Sequence, residues 1–211
     1  MYLTIKKCGF MSYQKGFLVG LLCVWGVLAH AQQLRKLAYE HINNLHEGTL
    51  IVCLPVSKSE LGYLNKRLAM PTISDKERAI ITARIADTKA QNIRSGELLR
   101  KTFEQYYTFS AFRFMDDSCL VGLDVEVFRR CSGVETGPIY LLQFERISET
   151  GLVSHGLIVK DTRLKHLYSP FPFFTKTLFA DEIYELSLGK AVRKLNKRLG
   201  GFYKKSLKVK N

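Results

Sequence analysis

Ile139-Tyr140-Leu141-Leu142-Gln143-Phe144-Glu145-Arg146-Ile147, followed by Ser148-Glu149-Thr150-Gly151 and then Leu152-Val153-Ser154-His155-Gly156-Leu157-Ile158-Val159-Lys160, is the stretch on which the fold turns. Two β-rich runs flank a cluster of turn residues, the pattern of a hairpin. Just upstream, from Phe109, the period is two. A strand is expected over Phe112 to Met115, and Val121, Leu123, Val125 and Val127 then alternate with Gly122, Asp124, Glu126 and Phe128. Asp161-Thr162 turns the chain again into Leu164 to Tyr168. Strands joined by such short connections pair antiparallel, since a parallel return needs a crossover of about a dozen residues or more. The second half is therefore expected to be a mainly antiparallel meander.

The first half reads as helical, with one strand. Leu34, Leu37, Ala38, His41 and Leu45 recur at three- and four-residue steps, and Gly48 can end that helix. Thr49-Leu50-Ile51-Val52-Cys53-Leu54, closed by Pro55, is a short apolar run of the kind that forms a buried strand. Ser57 with Glu60, and Ser74 with Glu77, have capping-box spacing. The first helix is expected to turn Leu61, Leu64 and Leu68 inward and to stop at Pro71. The second is expected to present Ala79, Ile80, Ala83, Ala86, Ala90 and Ile93, then to bend or break near Ser95-Gly96, because glycine costs about 1 kcal/mol in a helix interior. Leu99, Phe103 and Tyr106 continue beyond it. Helices first and strands later give an α+β class, with N-terminal helices and a C-terminal amphipathic helix packed on the sheet. No repeat and no linker divides the chain.

The opening segment carries an export signature. Lys6, Lys7 and Lys15 precede an apolar run from Phe17 to Leu28, and Ala29-His30-Ala31 supplies small residues around a cleavage point before Gln32. The run is shorter than the roughly 20 apolar residues that cross a bilayer. Residues 1–31 are thus expected to be a signal peptide, with the start at Met1 or Met11; the alternative is an uncleaved anchor. Cys23 follows Leu22 inside the apolar run, which excludes a lipoprotein signal. Export places the protein in the periplasm or on the outer side of the envelope.

The intact chain carries +13, and losing three lysines with no acid leaves 29 basic against 19 acidic residues, or +10. That excess is local. Nine basic residues and no acid lie in the last 26 positions, so the remainder is balanced. A helix over about 187–205 places Leu188, Val192, Leu195, Leu199 and Phe202 on one stripe and Lys190, Arg193, Lys194 and Lys197 opposite it. Gly200-Gly201 is expected to end or kink it. The basic face is either simply solvated or meets an anionic lipid or glycan surface. Nucleic acid is not an expected partner, because no aromatic–basic binding pattern is present.

Catalytic motifs are absent from the sequence: there is no phosphate loop, G-x-S-x-G elbow, H-E-x-x-H or C-x-x-C. No cofactor is implied. His155 is the candidate base, with Asp161 as orienting acid or Cys119 or Cys131 as thiol; a small hydrolase needs such groups to converge. His166 has no stronger support, and His41, among leucines, reads as a packed interface residue. Asp116-Asp117-Ser118 suits a turn better than a cation site, since calcium wants about six oxygens. No metal site is expected. An oxidising compartment permits a Cys119–Cys131 disulfide, leaving Cys53 as a small buried hydrophobe. Tyr168-Ser169-Pro170-Phe171-Pro172-Phe173-Phe174 is expected to close the core beneath the last helix, its prolines keeping it at a sheet edge or outside the sheet.

Gly48-Thr49-Leu50-Ile51-Val52-Cys53-Leu54-Pro55, Pro170-Phe171-Pro172-Phe173-Phe174 and Ala191-Val192-Arg193-Lys194-Leu195-Asn196-Lys197-Arg198-Leu199 together resemble an uncharacterised family of small exported bacterial envelope proteins. The likeness spans nearly all of residues 32–211. That family has no assigned activity, so the resemblance implies export and a single domain and transfers no catalytic residue. The sequence thus points to a non-enzymatic binding or structural module, with the His155 hydrolase and the anionic-surface reading as alternatives.

Overall fold

A six-residue strand lies at the centre of the molecule and is buried along almost its whole length. β1 (Thr49–Leu54) has Leu50, Ile51, Val52, Cys53 and Leu54 all buried, so both of its faces are covered. A strand with two covered faces reads as an unbroken apolar run and belongs inside a sheet flanked by helices. The structure, a computed structural model, describes residues 30–210 apart from positions 121, 123, 150, 151, 168 and 178–180. The opening segment read as a signal peptide therefore lies outside the described residues up to position 29.

In chain order the elements are α1 over residues 30–47, β1, α2 (Lys58–Leu68), α3 (Asp75–Tyr106), β2 (Ala111–Asp116), a 3-10 turn at Asp117–Leu120, α4 (Val125–Ser132), β3 (Ile139–Glu149), β4 (Leu152–Lys160), β5 (Phe174–Thr177) and α5 (Asp181–Lys210). The class is α+β. The sheet is mixed, in the order β2-β1-β3-β4-β5. β1 pairs parallel with β2, from Thr49 opposite Ala111 to Leu54 opposite Asp116, and parallel with β3, from Thr49 opposite Ile139 to Val52 opposite Leu142. Among the named strands β3–β4 and β4–β5 pair antiparallel, and where a strand is expected over Leu164 to Tyr168, His166 makes a single antiparallel bridge to Lys160 instead. The expected meander is thus corrected in its first half. Helical crossovers join β1 to β2 and β2 to β3, and such long connections permit parallel pairing.

Three helices cover one face of the sheet. Ala38, Ile42 and Leu45 of α1, Leu99 and Phe103 of α3, and Leu188, Val192, Leu195 and Leu199 of α5 pack there with Leu50, Val52, Leu142, Leu157 and Val159. The other face is covered over β1 and β3 by α4, whose Phe128 is fully buried against Ile51, Cys53, Met115 and Leu141. Phe171 enters the first core between α1 and α5, with its ring edge-on to His41 and Phe202, as the core-closing reading of its aromatic segment anticipates.

Local corrections have clear causes. The Val125–Phe128 alternation is not a strand. Asp124 accepts the Glu126 N–H at 2.9 Å and Gly133 closes the helix at φ 69°, and in between Phe128 and Ser132 share one buried face. α3 runs unbroken through a buried Gly96, because its inward stripe is Ile81, Ile85, Thr88, Gly96, Leu99 and Phe103, while Ile80 and Ile93 face solvent. Burying Leu99 and Phe103 is worth about 1.5–3 kcal/mol each, which outweighs one helical glycine at about 1 kcal/mol. α5 is longer than the expected 187–205 and continues past Gly200-Gly201, with Ser206 buried against α1 beyond them. Leu61, Leu64 and Leu68 of α2 are only half-buried. Ser74 caps α3 as expected, accepting the Glu77 N–H at 3.2 Å.

Gly48 is required by space. A Cβ there would sit 2.3 Å from the Pro138 oxygen and 2.6 Å from the Asn44 oxygen, where α1 turns into β1 and Thr49 donates to Pro138 O. Replacing Gly48 with Ala should cost about 1–3 kcal/mol in urea unfolding, the usual cost of overpacking. Gly62→Ala, where nothing lies within 4 Å, should be neutral or stabilising. Equal midpoints for the two variants would contradict this packing.

Candidate functional site

β1 and β3 lie side by side and point the same way, yet the chain leaves them in different directions. From β1 it departs through Pro55 into α2 and α3; β3 continues into its hairpin with β4. Where β1 stops and its parallel neighbour β3 runs on, a crevice opens beyond the carboxyl end of β1. Here it is a cleft of about 900 Å³. Its floor is Cys53, Pro55 and Ser57 at the end of β1 and Asp117 just after β2, and its walls are Gln143 and Phe144 of β3 and Thr88, Gln91, Asn92 and Ser95 of α3.

The end of β1 is held in an uncommon backbone conformation. Ser57 has φ 48°, the left-handed region. That geometry costs a non-glycine residue about 1–3 kcal/mol and persists where surrounding structure imposes it. Two hydrogen bonds do so. The Ser57 hydroxyl donates to Asn92 Oδ1 at 3.0 Å, tying the turn to α3, and the Val56 N–H donates to Asp117 Oδ1 at 3.2 Å, tying it to the end of β2. The Ser57–Glu60 capping box does not form, because the Ser57 side chain is committed to Asn92.

Two groups of the cleft are uncharged or biased toward it. Burial, then the neighbouring Asp117 carboxylate, push the Cys53 thiol up to about 12. Burial also raises the Asp117 carboxyl, opposed by the Val56 N–H and reinforced by Asp116. A thiol beside a carboxylate in a buried site is the reverse of an activated nucleophile, which needs a cation or base to stabilise the thiolate. Gln143 Oε1 is buried and has no hydrogen-bond partner among the described residues. On the sheet face shared with Cys53, Lys160 Nζ donates to Glu145 Oε1 at 2.5 Å, and both groups bear on the thiol less than burial and Asp117 do.

The residues singled out from sequence fall elsewhere. His155 stacks on Phe144 at 6.4 Å, one ring behind the cleft wall, and does not line the cleft. Asp161 lies beyond the far end of β4, six positions along, about 20 Å away at strand rise. There its Oδ1 accepts the N–H groups of Arg163 and Lys165. The structure does not bring the two together. Cys119 and Cys131 are joined as a disulfide with Cα atoms 6.6 Å apart, linking the 3-10 turn to α4, so neither is a free thiol. Lys190, Arg193, Lys194 and Lys197 are exposed on α5 away from the cleft, with the Arg193 guanidinium 4.6 Å over the Tyr106 ring. His166 stacks on Phe173. His41 donates or accepts with the Tyr140 hydroxyl at 2.9 Å, and burial holds its imidazole below the ordinary value, opposed by Asp161 and Glu40.

Among the described residues no group of three or more His, Cys, Asp or Glu side chains is placed to hold a metal ion, and no helix is long and apolar enough to cross a membrane. The sequence pattern singles out neither Asn92 nor Gln143, reads Ser57 as a helix cap, and reads Cys53 and Asp117 as a hydrophobe and a turn residue. The available signal was the long helical interval between the Thr49–Leu54 and Phe112–Met115 runs, which permits a parallel crossover and with it a crevice at a strand end. No family model, curated protein or solved structure matches this chain.

The Cys53 thiol should be inert. In a chain beginning at Gln32, a thiol-titrating disulfide reagent at pH 7.5 is expected to find no thiol in the folded state and one in urea. A thiol ionising at about 12 when folded, against about 8.5 when unfolded, stabilises the fold fully at neutral pH. That contribution is lost as pH climbs from about 9 toward the folded value, so unfolding midpoints should fall over that range. Rapid native labelling at pH 7.5 would show that the thiol is neither buried nor suppressed.

Proposed function

We propose that this chain is an exported, non-enzymatic binding module of the cell envelope whose ligand occupies the cleft beyond the carboxyl end of β1, against the middle of β3. One observation carries the reading: a polar crevice of about 900 Å³ in which Gln143 Oε1 is buried without a partner among the described residues. A buried acceptor left unpaired costs about 1–3 kcal/mol, a cost that a donor on a bound ligand removes. The cleft also has the volume and the few convergent polar groups of a ligand site. Its chemistry favours holding over reacting, because the thiol stays protonated and His155 stands behind the wall.

Export rests on the basic and apolar opening segment with its Ala29-His30-Ala31 triplet, and it is supported by the Cys119–Cys131 disulfide, since such bonds persist in oxidising compartments. The resemblance to small exported envelope proteins agrees with it. The cluster of exposed cations on α5, at Lys190, Lys194 and Lys197, favours a second reading in which that face touches an anionic lipid or glycan surface.

Thermal shift with a panel of neutral polar probes (dipeptides, disaccharides and free amino acids at millimolar concentration) tests the first reading. A ligand present at about 100 times its Kd stabilises by about 2.7 kcal/mol. At least one class should raise the melting temperature of the wild type, and Gln143→Leu should abolish the shift without lowering stability. A panel without effect, or shifts that survive Gln143→Leu and Asn92→Ala, would contradict a ligand in this cleft.

A further inference from the structure

β3 is nearly twice as long as the strand beside it. It spans Ile139–Glu149, whereas β1 pairs with it only from Ile139 to Leu142. On its other edge β4 follows it to the end, with Glu149 opposite Leu152. From Glu145 to Glu149 the backbone therefore has a strand on one side and, among the described residues, no paired strand on the other. β1 cannot extend to fill that side. Pro55 has no N–H to contribute, and the left-handed Ser57 turns the chain out toward α2. The cleft lies where the next residues of β1 would have run.

An open strand edge offers a row of N–H donors and C=O acceptors at the spacing of another strand, and extended peptides add to such edges. The facing wall suits the same occupant. Thr88, Gln91, Asn92 and Ser95 of α3 are small hydroxyl and amide side chains that satisfy peptide groups without demanding a particular sequence. Gln143 Oε1 adds a buried, unpartnered acceptor at the root of the free edge. The charged lining groups are Glu60, Glu97 and Asp117 with Arg94 and Lys101. Glu60 is already paired with Arg84 outside the cleft, so the other four balance and a segment of little net charge fits best.

We propose that the cleft binds an extended, near-neutral polypeptide segment that adds as a strand to the free edge of β3, starting beside Gln143 and Phe144, which line the cleft, and running on along Glu145–Glu149. This rests on the reading of the cleft as the binding site and names its ligand class. The edge supplies affinity through main-chain hydrogen bonds, and the α3 wall limits the segment to side chains that fit beside it. Five residues of strand cover about 17 Å, so a segment of that order is enough.

The test uses random dodecapeptides displayed on phage and selected against the purified chain, with the recovered peptide synthesised and titrated. Binding should slow amide exchange within Glu145–Glu149 about tenfold or more. Methylating alternate backbone nitrogens of the peptide, which removes donors on one edge, should weaken binding about tenfold or more, as expected for two lost hydrogen bonds. Gln91→Trp, at an exposed α3 position lining the cleft, should abolish binding while leaving the unfolding midpoint unchanged. The proposal is overturned by no peptide recovered, by binding indifferent to backbone methylation, or by exchange protection elsewhere. If peptides fail but a disaccharide raises the melting temperature in a Gln143-dependent way, the peptide assignment falls and the cleft reading stands. If neither probe binds, both fall. Concentration-dependent protection of Glu145–Glu149 with dimers in sedimentation would assign the edge to a second copy and overturn the peptide proposal.

Discussion

The rest of the structure follows from the burial of one short strand. β1 is covered on both faces and both edges, so it has to be apolar throughout, and it ends at the first residue that cannot continue the ladder, Pro55. Its neighbours are not bound by that limit. β3 runs on for seven residues past Leu142 and α3 spans Asp75–Tyr106, about 48 Å at helical rise, against about 20 Å for β1. A short centre between two long walls leaves a gap above it, and the cleft is that gap. Its floor is fixed by the bonds from Val56 to Asp117 and from Ser57 to Asn92, which draw β1, β2 and α3 together at one point.

The same arrangement explains why the candidate catalytic residues taken from sequence do not converge. His155 and Asp161 belong to β4 and the turn after it, so they are separated along a strand rather than gathered at strand ends. The groups that do gather are Cys53, Asp117, Ser57, Asn92 and Gln143, and the low polarity that surrounds the thiol suppresses its ionisation. What remains on the floor and near wall of the cleft is a set of amides and hydroxyls suited to hydrogen bonding, with Arg94, Glu97 and Lys101 also lining it. The basic face of α5 stands apart: its apolar stripe docks on the sheet, and its lysines are displayed on the outer surface.

Much of the architecture was legible where a residue pattern had one physical solution. The β3–β4 hairpin, the buried run of β1, the Ser74 cap and the Leu188–Leu199 stripe of α5 each follow from period, turn chemistry or capping. The misread parts are those decided by tertiary contact. Val125 to Phe128 satisfies a period of two and, through Phe128 and Ser132, a helical face as well; the Asp124 cap and Gly133 select the helix. Leu99 and Phe103 of α3 are buried as their spacing predicts, but in its first half the buried side carries Ile81 and Ile85 rather than the alanine-rich stripe with Ile80 and Ile93, because larger side chains remove more surface from water. Parallel pairing of β1 with β2 and β3 leaves no local mark, and the cleft depends on that pairing. Its residues therefore stayed hidden although each was in view.

Among the described residues one edge of β3 is left open beyond the end of β1, and the proposed site depends on it. Residue-resolved amide exchange of the unliganded protein tests it most directly. Amides of β1 and of Ile139 to Leu142 should exchange slowly throughout, while from Glu145 to Glu149 exchange should alternate, slow for N–H groups turned to β4 and fast for those turned to the cleft. Uniformly slow exchange along all of β3 would mean that some part of the molecule already covers that edge, and the binding site described here would not exist.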